Sequence, residues 1–190
     1  MVLSLSSCSM RNRRLFHSKM NVKCTFKTDS PVYKGNLSRG NKYNFSINNF
    51  ILNSEQISSI SVTIYGHSPL SLNVCGIQSL DEVNLVQELI EKLYDVKCLD
   101  VRVDNIFLSH KDYLNLDVSK IYYYLRDYID CHVDYNIELY PGMYIKSKNY
   151  PTINLFRTGS FQILGAKSHE QIFEIKNFVN MLVSMFNKST

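Results

Sequence analysis

Gly76-Ile77-Gln78-Ser79 and Gly165-Ala166-Lys167-Ser168 carry the same local instruction twice. In each, a glycine turn leads to a serine suited to capping a helix, and a long segment with helix-spaced apolar residues follows. Ser79 is followed by Glu82 and Ser168 by Gln171, the spacing at which a serine and a carboxylate or amide cap unpaired helix amides reciprocally. The first segment lines up Val83, Val86, Leu89, Ile90 and Leu93; the second lines up Ile172, Ile175, Phe178, Val179, Leu182 and Phe186. Stripes of this kind need a sheet to cover them. Two matching strand-to-helix junctions therefore predict two tandem units of similar plan.

Outward from these junctions the chain reads mainly as strands. Residues 21–27 predict a first strand and the Gly35 to Gly40 region a loop, and an opening helix of the first half is only weakly signalled. Alternation at Tyr43, Phe45 and Ile47 and the β-branched run Ser61 to Tyr65 predict further strands, and Gly66 to Pro69 a turn into a return strand, Ser71 to Cys75. In the second half, Val101, Val103, Ile106 and Leu108 predict a strand with an irregularity, and Leu114, Val118, Ile121, Leu125 and Ile129 recur at helical spacing. His132 to Leu139 and Met143 to Lys146 are expected to pair around Pro141-Gly142, and Thr152 to Phe156 and Phe161 to Leu164 around Thr158-Gly159. Strands outnumber helices in each unit. The fold class is thus α+β, a curved antiparallel sheet backed by two long helices.

A chain of 190 residues, 45% hydrophobic and 20% charged, can bury a substantial core. Its net charge of +4 is mild but uneven: through Ser54 there are nine Lys or Arg residues and one acid, Asp29. That permits a basic face toward nucleic acid and equally a solvated surface. Residues 1–19, with Arg11, Arg13, Arg14 and Lys19 and no acid, read as a basic tail, 20–98 as the first unit and 99–190 as the second. The apolar start is too short for a secretory segment or a membrane span. Cys8, Cys24, Cys75, Cys98 and Cys131 are odd in number and scattered, as are the five histidines, so a reducing compartment is expected, with neither disulfides nor structural zinc.

Glu138-Leu139-Tyr140-Pro141-Gly142 resembles the Glu-Leu-Phe-Pro-Gly phrase of the TATA-binding protein family. Leu155-Phe156-Arg157-Thr158-Gly159-Ser160 and Leu164-Gly165-Ala166-Lys167 resemble its Ile-Phe-x-Ser-Gly-Lys and Thr-Gly-Ala-Lys phrases, and Val103-Asp104-Asn105-Ile106 resembles its opening strand with an asparagine. The ordered match runs over roughly residues 101–186. The first half resembles the family less, offering Cys75-Gly76-Ile77-Gln78-Ser79, Met20-Asn21-Val22, and Tyr65 or Phe50 in place of an aromatic wedge.

The resemblance implies a saddle of two repeats whose concave sheet meets a widened minor groove while aromatic wedges partly unstack base steps. It puts Phe156 and Tyr140 at the wedge positions, either of which could instead simply cover the sheet end, and the Tyr140 hydroxyl resists dry insertion. It puts Asn105 at the centre of the DNA-facing sheet, with Asn21 as its partner, where an amide offers donor and acceptor to groove edges. Lys146 and Lys167 match basic phosphate-contacting positions, and Arg157, Lys148 and Lys111 extend that field. Thr152, Asn154 and Gln162 are more polar than the resemblance implies, and Ser160 replaces a basic residue, which weakens the case for strong bending.

The implied partners are double-stranded DNA, with an AT-rich promoter as the candidate, and a general transcription factor or RNA polymerase-associated protein on the helical side, where Tyr122, Tyr123 and Tyr124 are contact candidates. The implied compartment is the nucleus, or a viral transcription compartment if the chain is viral; abundant Asn and Lys without Trp fit an AT-rich coding genome. No cofactor is implied. The chain lacks a phosphate-binding glycine loop, a His-Glu-x-x-His zinc motif and a Gly-x-Ser-x-Gly nucleophile turn, so an enzyme is not expected. The alternative function is a protein-binding scaffold on the same fold without independent DNA bending.

Overall fold

Alternation dictates the central strand β1 (Ser18–Thr28), in which Val22, Cys24, Phe26 and Thr28 are buried while Asn21, Lys23 and Lys27 are exposed. The computed structural model describes residues 18–33, 40–48, 50–52, 55–57, 59–128, 131–148 and 150–187. Arg11, Arg13, Arg14, Cys8, His17, Ile129 and residues 34–39, most of the expected loop, lie outside them. After β1 come β2 (Lys42–Ile47), β3 (Phe50–Leu52), β4 (Glu55–Ile57), β5 (Ile60–Tyr65), β6 (Ser68–Ile77), α1 (Glu82–Tyr94) and β7 (Cys98–His110). There follow α2 (Val118–Tyr128), β8 (His132–Asp134), β9 (Gly142–Lys146), β10 (Thr152–Phe156), β11 (Phe161–Ala166) and α3 (His169–Phe186).

Nine strands form one antiparallel sheet in the order β2-β5-β6-β1-β7-β11-β10-β9-β8, and β3 and β4 pair separately. The halves meet where β1 pairs with β7 over eleven positions, from Ser18 opposite His110 to Thr28 opposite Cys98. Ser18 and Lys19, read from the sequence as the end of a tail, thus belong to the sheet. Pairing with His110 and Ser109 extends the ladder, and the Ser18 hydroxyl lies 2.9 Å from His110 Nδ1.

One face of the sheet is covered. Val22, Phe26, Ile64, Leu72 and Ile77 from the first half and Ile106, Leu108, Leu155 and Ile163 from the second join α1, α2 and α3 in a continuous apolar core. Each such side chain contributes about 1.5–3 kcal/mol relative to exposure. From α1 the core takes Val83, Val86, Leu89 and Ile90; Leu93, expected in the stripe, is 45% exposed because it falls on the last turn. Leu114, expected in a helix, lies before α2. Its backbone N–H donates to the Thr158 carbonyl at 2.7 Å and its side chain fills the space beside Gly159, so it fastens the β10–β11 turn. The strand expected over His132 to Leu139 stops at Asp134, because Asn136 turns the chain: its side-chain Oδ1 accepts from the Glu138 N–H and its carbonyl from those of Leu139 and Tyr140.

The two glycine-serine junctions share a hydrogen-bonding plan, but Ser168 is the N-cap of α3, whereas α1 begins two residues later than expected, with Asp81 rather than Ser79 at its N-cap. Gly76 (φ 97°) falls where β6 slips against β1, and Gly165 (φ 89°) where β11 slips against β7, so each is the extra residue of a bulge that only glycine enters without strain. Ser79 Oγ accepts from the Glu82 N–H at 3.2 Å and the Glu82 carboxylate from the Gln78 N–H at 2.8 Å. Ser168 Oγ accepts from the Gln171 N–H at 3.3 Å and the Gln171 side chain from the Lys167 N–H at 2.8 Å. Each capping pair reaches back one residue further than the sequence pattern alone implies.

Burial, with the charge of Asp104 and neighbouring Cys75 adding to it, pushes the Cys24 thiol from 9.0 up to about 11. A thiol raised in the folded state contributes stability that is complete below the unfolded value and lost as pH rises through the folded one. Unfolding free energy should therefore fall between about pH 9 and pH 11, and less steeply in Cys24→Ala, as read by urea titration across that range. Gly165→Ala should cost about 1–3 kcal/mol through its backbone angle alone. Gly76→Ala should cost more, because a Cβ there would sit 2.8 Å from the Ser59 carbonyl oxygen; thermal unfolding of the two variants reads the difference.

Candidate nucleic-acid interface

Among the described residues, the opposite face of the sheet carries no helix and is built from the alternate residues of the same strands. Asn21, Lys23, Thr25 and Lys27 on β1 and Asn105, Phe107 and Ser109 on β7 form its middle. Gln162 and Leu164 on β11, Thr152, Asn154 and Phe156 on β10, and Tyr144 and Lys146 on β9 extend it through the second half. Asn73 and Cys75, Thr63 and Tyr65, then Lys42 and Asn44 extend it through the first.

At the second-half end, Phe156 lies opposite Gly142 across the β9–β10 pair. The rings of Tyr140 and Phe156 meet edge to face, with centroids 5.9 Å apart and planes at 63°. Both cover Gly142, where an added Cβ would lie 2.7 Å from Tyr140 Cε1 and 2.9 Å from Phe156 Cε1. The two aromatics quoted from separate phrases are thus brought together, and the missing side chain at Gly142 is what lets them seat. Edge-to-face contact is worth about 0.5–1.5 kcal/mol beyond burial. Tyr140 is still 44% exposed.

In the first half Tyr65 ends β5 opposite Lys42, and its ring centroid lies 5.4 Å from that of His67. It occupies the strand-end position that Phe156 has on β10, but a lysine stands where Gly142 would be. The side chain of Phe50, the other aromatic considered there, lies outside the described residues.

Asn21 and Asn105 flank the directly paired Val22 and Ile106, Asn21 opposite Phe107 and Asn105 opposite Lys23. Asn21 also accepts the Gly76 N–H through Oδ1 at 3.3 Å, so part of its amide serves the bulge. Beyond them lies a polar chain that sequence reading missed. Thr25 Oγ1 is 2.8 Å from Asn73 Oδ1 and 2.5 Å from Asp104 Oδ2, and Arg102 Nε donates to Asp104 Oδ1 at 2.8 Å. The single Thr25 hydroxyl proton is thus offered to two acceptors, the Asp104 carboxylate and the Asn73 amide oxygen, the shorter contact being to the carboxylate. Burial pushes the Asp104 carboxyl up, but the bonds from Thr25 and Arg102 and the charges of Arg102 and Lys23 outweigh it and hold it below the usual carboxylate range. The slip in β1–β7 pairing between Lys23 and Cys24 makes Asp104 the extra residue; Val103-Asp104-Asn105 hinted at an irregular strand without showing these partners.

The basic candidates separate. Lys146 closes β9 on the open face. Lys167 and Lys148 line one groove of about 390 Å³ with Thr152 and Leu164. Arg157 and Lys111 line another, of about 490 Å³, with Phe156 and His110. Burial, aided by Lys176 and opposed by Asp112, pulls the His110 imidazole below its ordinary value. Thr152, Asn154 and Gln162 all lie on the open face, where Asn154 Nδ2 donates to Gln162 Oε1 at 3.4 Å. Ser160 is turned to structural use, accepting from the Asp112 N–H at 2.9 Å and donating to its carbonyl at 3.0 Å.

On α2, Tyr122, Tyr123 and Tyr124 spread around the helix. Tyr122 stands against Tyr135, Tyr124 packs on Phe186, and Tyr123 is 55% exposed beneath the Arg126 guanidinium, 5.0 Å from its ring centroid. Among the described residues, no three His, Cys, Asp or Glu side chains gather as a metal site and no helix is long and apolar enough to cross a membrane.

Residues 100–185 match the family model described as Transcription factor TFIID (or TATA-binding protein, TBP). A solved structure of TBP from Methanococcus jannaschii is similar to the chain with a TM-score of 0.58 at 15% sequence identity, over 88% of this chain and 98% of that one. No curated protein matches the sequence. The match stops short of half the chain and the structural likeness extends over most of it, so the chain has a distant, partial relationship to the TATA-binding protein family, carried by an α+β fold with a large antiparallel sheet and few helices.

Proposed function

We propose that the open face receives duplex DNA from the minor-groove side and that the chain acts as a transcription initiation factor. One observation carries this reading: the Tyr140–Phe156 ring pair seated on Gly142 at the end of an uncovered sheet. Unstacking a base step costs a few kcal/mol, and a rigid ring held on a strand spends little further entropy when it enters. Residues 20–98 and 99–190 are then the two repeats of a saddle, related by an approximate two-fold axis through the Val22–Ile106 pair. Asn21 and Asn105 meet groove edges near that axis, and Lys146, Lys167 and Arg157 contact phosphates. The helical side, with Tyr123 its most exposed tyrosine, is offered to a general transcription factor or polymerase-associated protein. The place of action is the nucleus, or for a viral chain the viral transcription compartment.

A second reading, a protein-binding scaffold without DNA bending, is favoured by the acids Asp100, Asp104 and Asp134 among the polar residues of the open face. Duplex binding followed across a salt titration, with bending read from the end-to-end distance of labelled DNA, separates the two. Phe156→Ala should reduce bending while most salt-dependent association remains, and Tyr140→Phe should increase it. A wild-type chain with no specific duplex association would support the scaffold instead. Gly142→Ala should push the rings apart and mimic Phe156→Ala in bending, with a stability cost of about 1–3 kcal/mol.

A further inference from the structure

Among the described residues, Arg102 is an open-face cation with a 2.8 Å charge-assisted hydrogen bond, to Asp104. Its Nε–H donates to Asp104, and the Thr25 hydroxyl stands within hydrogen-bond distance of both Asp104 and the Asn73 amide oxygen, so one polar chain crosses β7, β1 and β6. The Arg102 side chain nevertheless remains 70% exposed, whereas that of Asp104 is 19% exposed. The carboxylate is recessed and the guanidinium stands forward. Engaging Nε leaves the four N–H groups of the two terminal nitrogens available to further acceptors. Lys27, on the neighbouring strand, is tied to Asp100 only by an exposed ion pair at 3.6 Å, a contact worth little in ordering a side chain.

We propose that Arg102, braced by Asp104, is the residue of the open face that discriminates base pairs, entering the minor groove and preferring A·T to G·C. The inference rests on the DNA-binding reading and makes it specific. A·T pairs present only acceptors in that groove, which suit a donor-only guanidinium, while guanine adds an amino donor that opposes it. Orientation fixed before binding removes an entropy cost that a free lysine would bear. Asp104 is here a positioning residue. Its charge by itself disfavours DNA, and its part is to orient Arg102.

The test compares wild type, Arg102→Lys, Arg102→Ala and Asp104→Asn on two duplexes of equal length, one with an all-A·T centre and one with a G·C centre, at several salt concentrations. Arg102→Lys should keep the salt slope yet lose roughly ten-fold in A·T-over-G·C preference, and Arg102→Ala should lose both that preference and about one unit of slope. Asp104→Asn should bind both duplexes more tightly while its preference falls, a split that loss of repulsion alone does not produce. Unchanged preference in Arg102→Lys, or equal tightening on both duplexes in Asp104→Asn, overturns the inference and leaves the DNA-binding reading standing. No salt-dependent duplex association by the wild-type chain overturns both.

Discussion

The β1–β7 pairing is the interaction on which the rest depends. It joins the halves through the backbone, sets Val22 directly against Ile106, and by that register decides which side chains face the helices and which face outward. A slip of one residue would exchange the two faces along the whole seam and drive Asn21, Lys23 and Lys27 into the core. Burial of Val22, Cys24 and Phe26 on one strand and Ile106 and Leu108 on the other makes that exchange prohibitive.

The seam also accepts an irregularity. The bulge near Asp104 turns a charged residue toward the open face, where Thr25 and Arg102 compensate it. The glycine bulges at Gly76 and Gly165 end the neighbouring strands and deliver the chain to α1 and α3 through matched capping pairs. Among the described residues, helices then cover one face of the sheet and not the other.

That face is polar across its middle and aromatic at one end. A polar surface holds water and gives up less free energy when it meets an apolar groove floor, while a ring pair on a glycine seat gives up more. In the proposed DNA-binding reading, this division assigns insertion to one end and hydrogen bonding and phosphate attraction to the rest. The second half keeps the phrases that build the aromatic end; in the first, Tyr65 opposes Lys42 and has no such seat.

The sequence by itself determined the strand-to-helix order around both glycine-serine junctions and the β10–β11 hairpin, though not the short β3–β4 pair, because turn chemistry, capping and apolar alternation act over a few neighbouring residues; Phe156 and Tyr140 were legible only as phrases resembling a known family. It misplaced Leu114 in a helix and drew β8 too long, because periodicity does not see the hairpin turn that Leu114 fastens or the side-chain bonds of Asn136. The Asn73–Thr25–Asp104–Arg102 chain, the use of Asn21 by the Gly76 bulge and the seat at Gly142 were settled only by tertiary structure. Each depends on which residues of distant strands come into register, and register is chosen by the whole core at once.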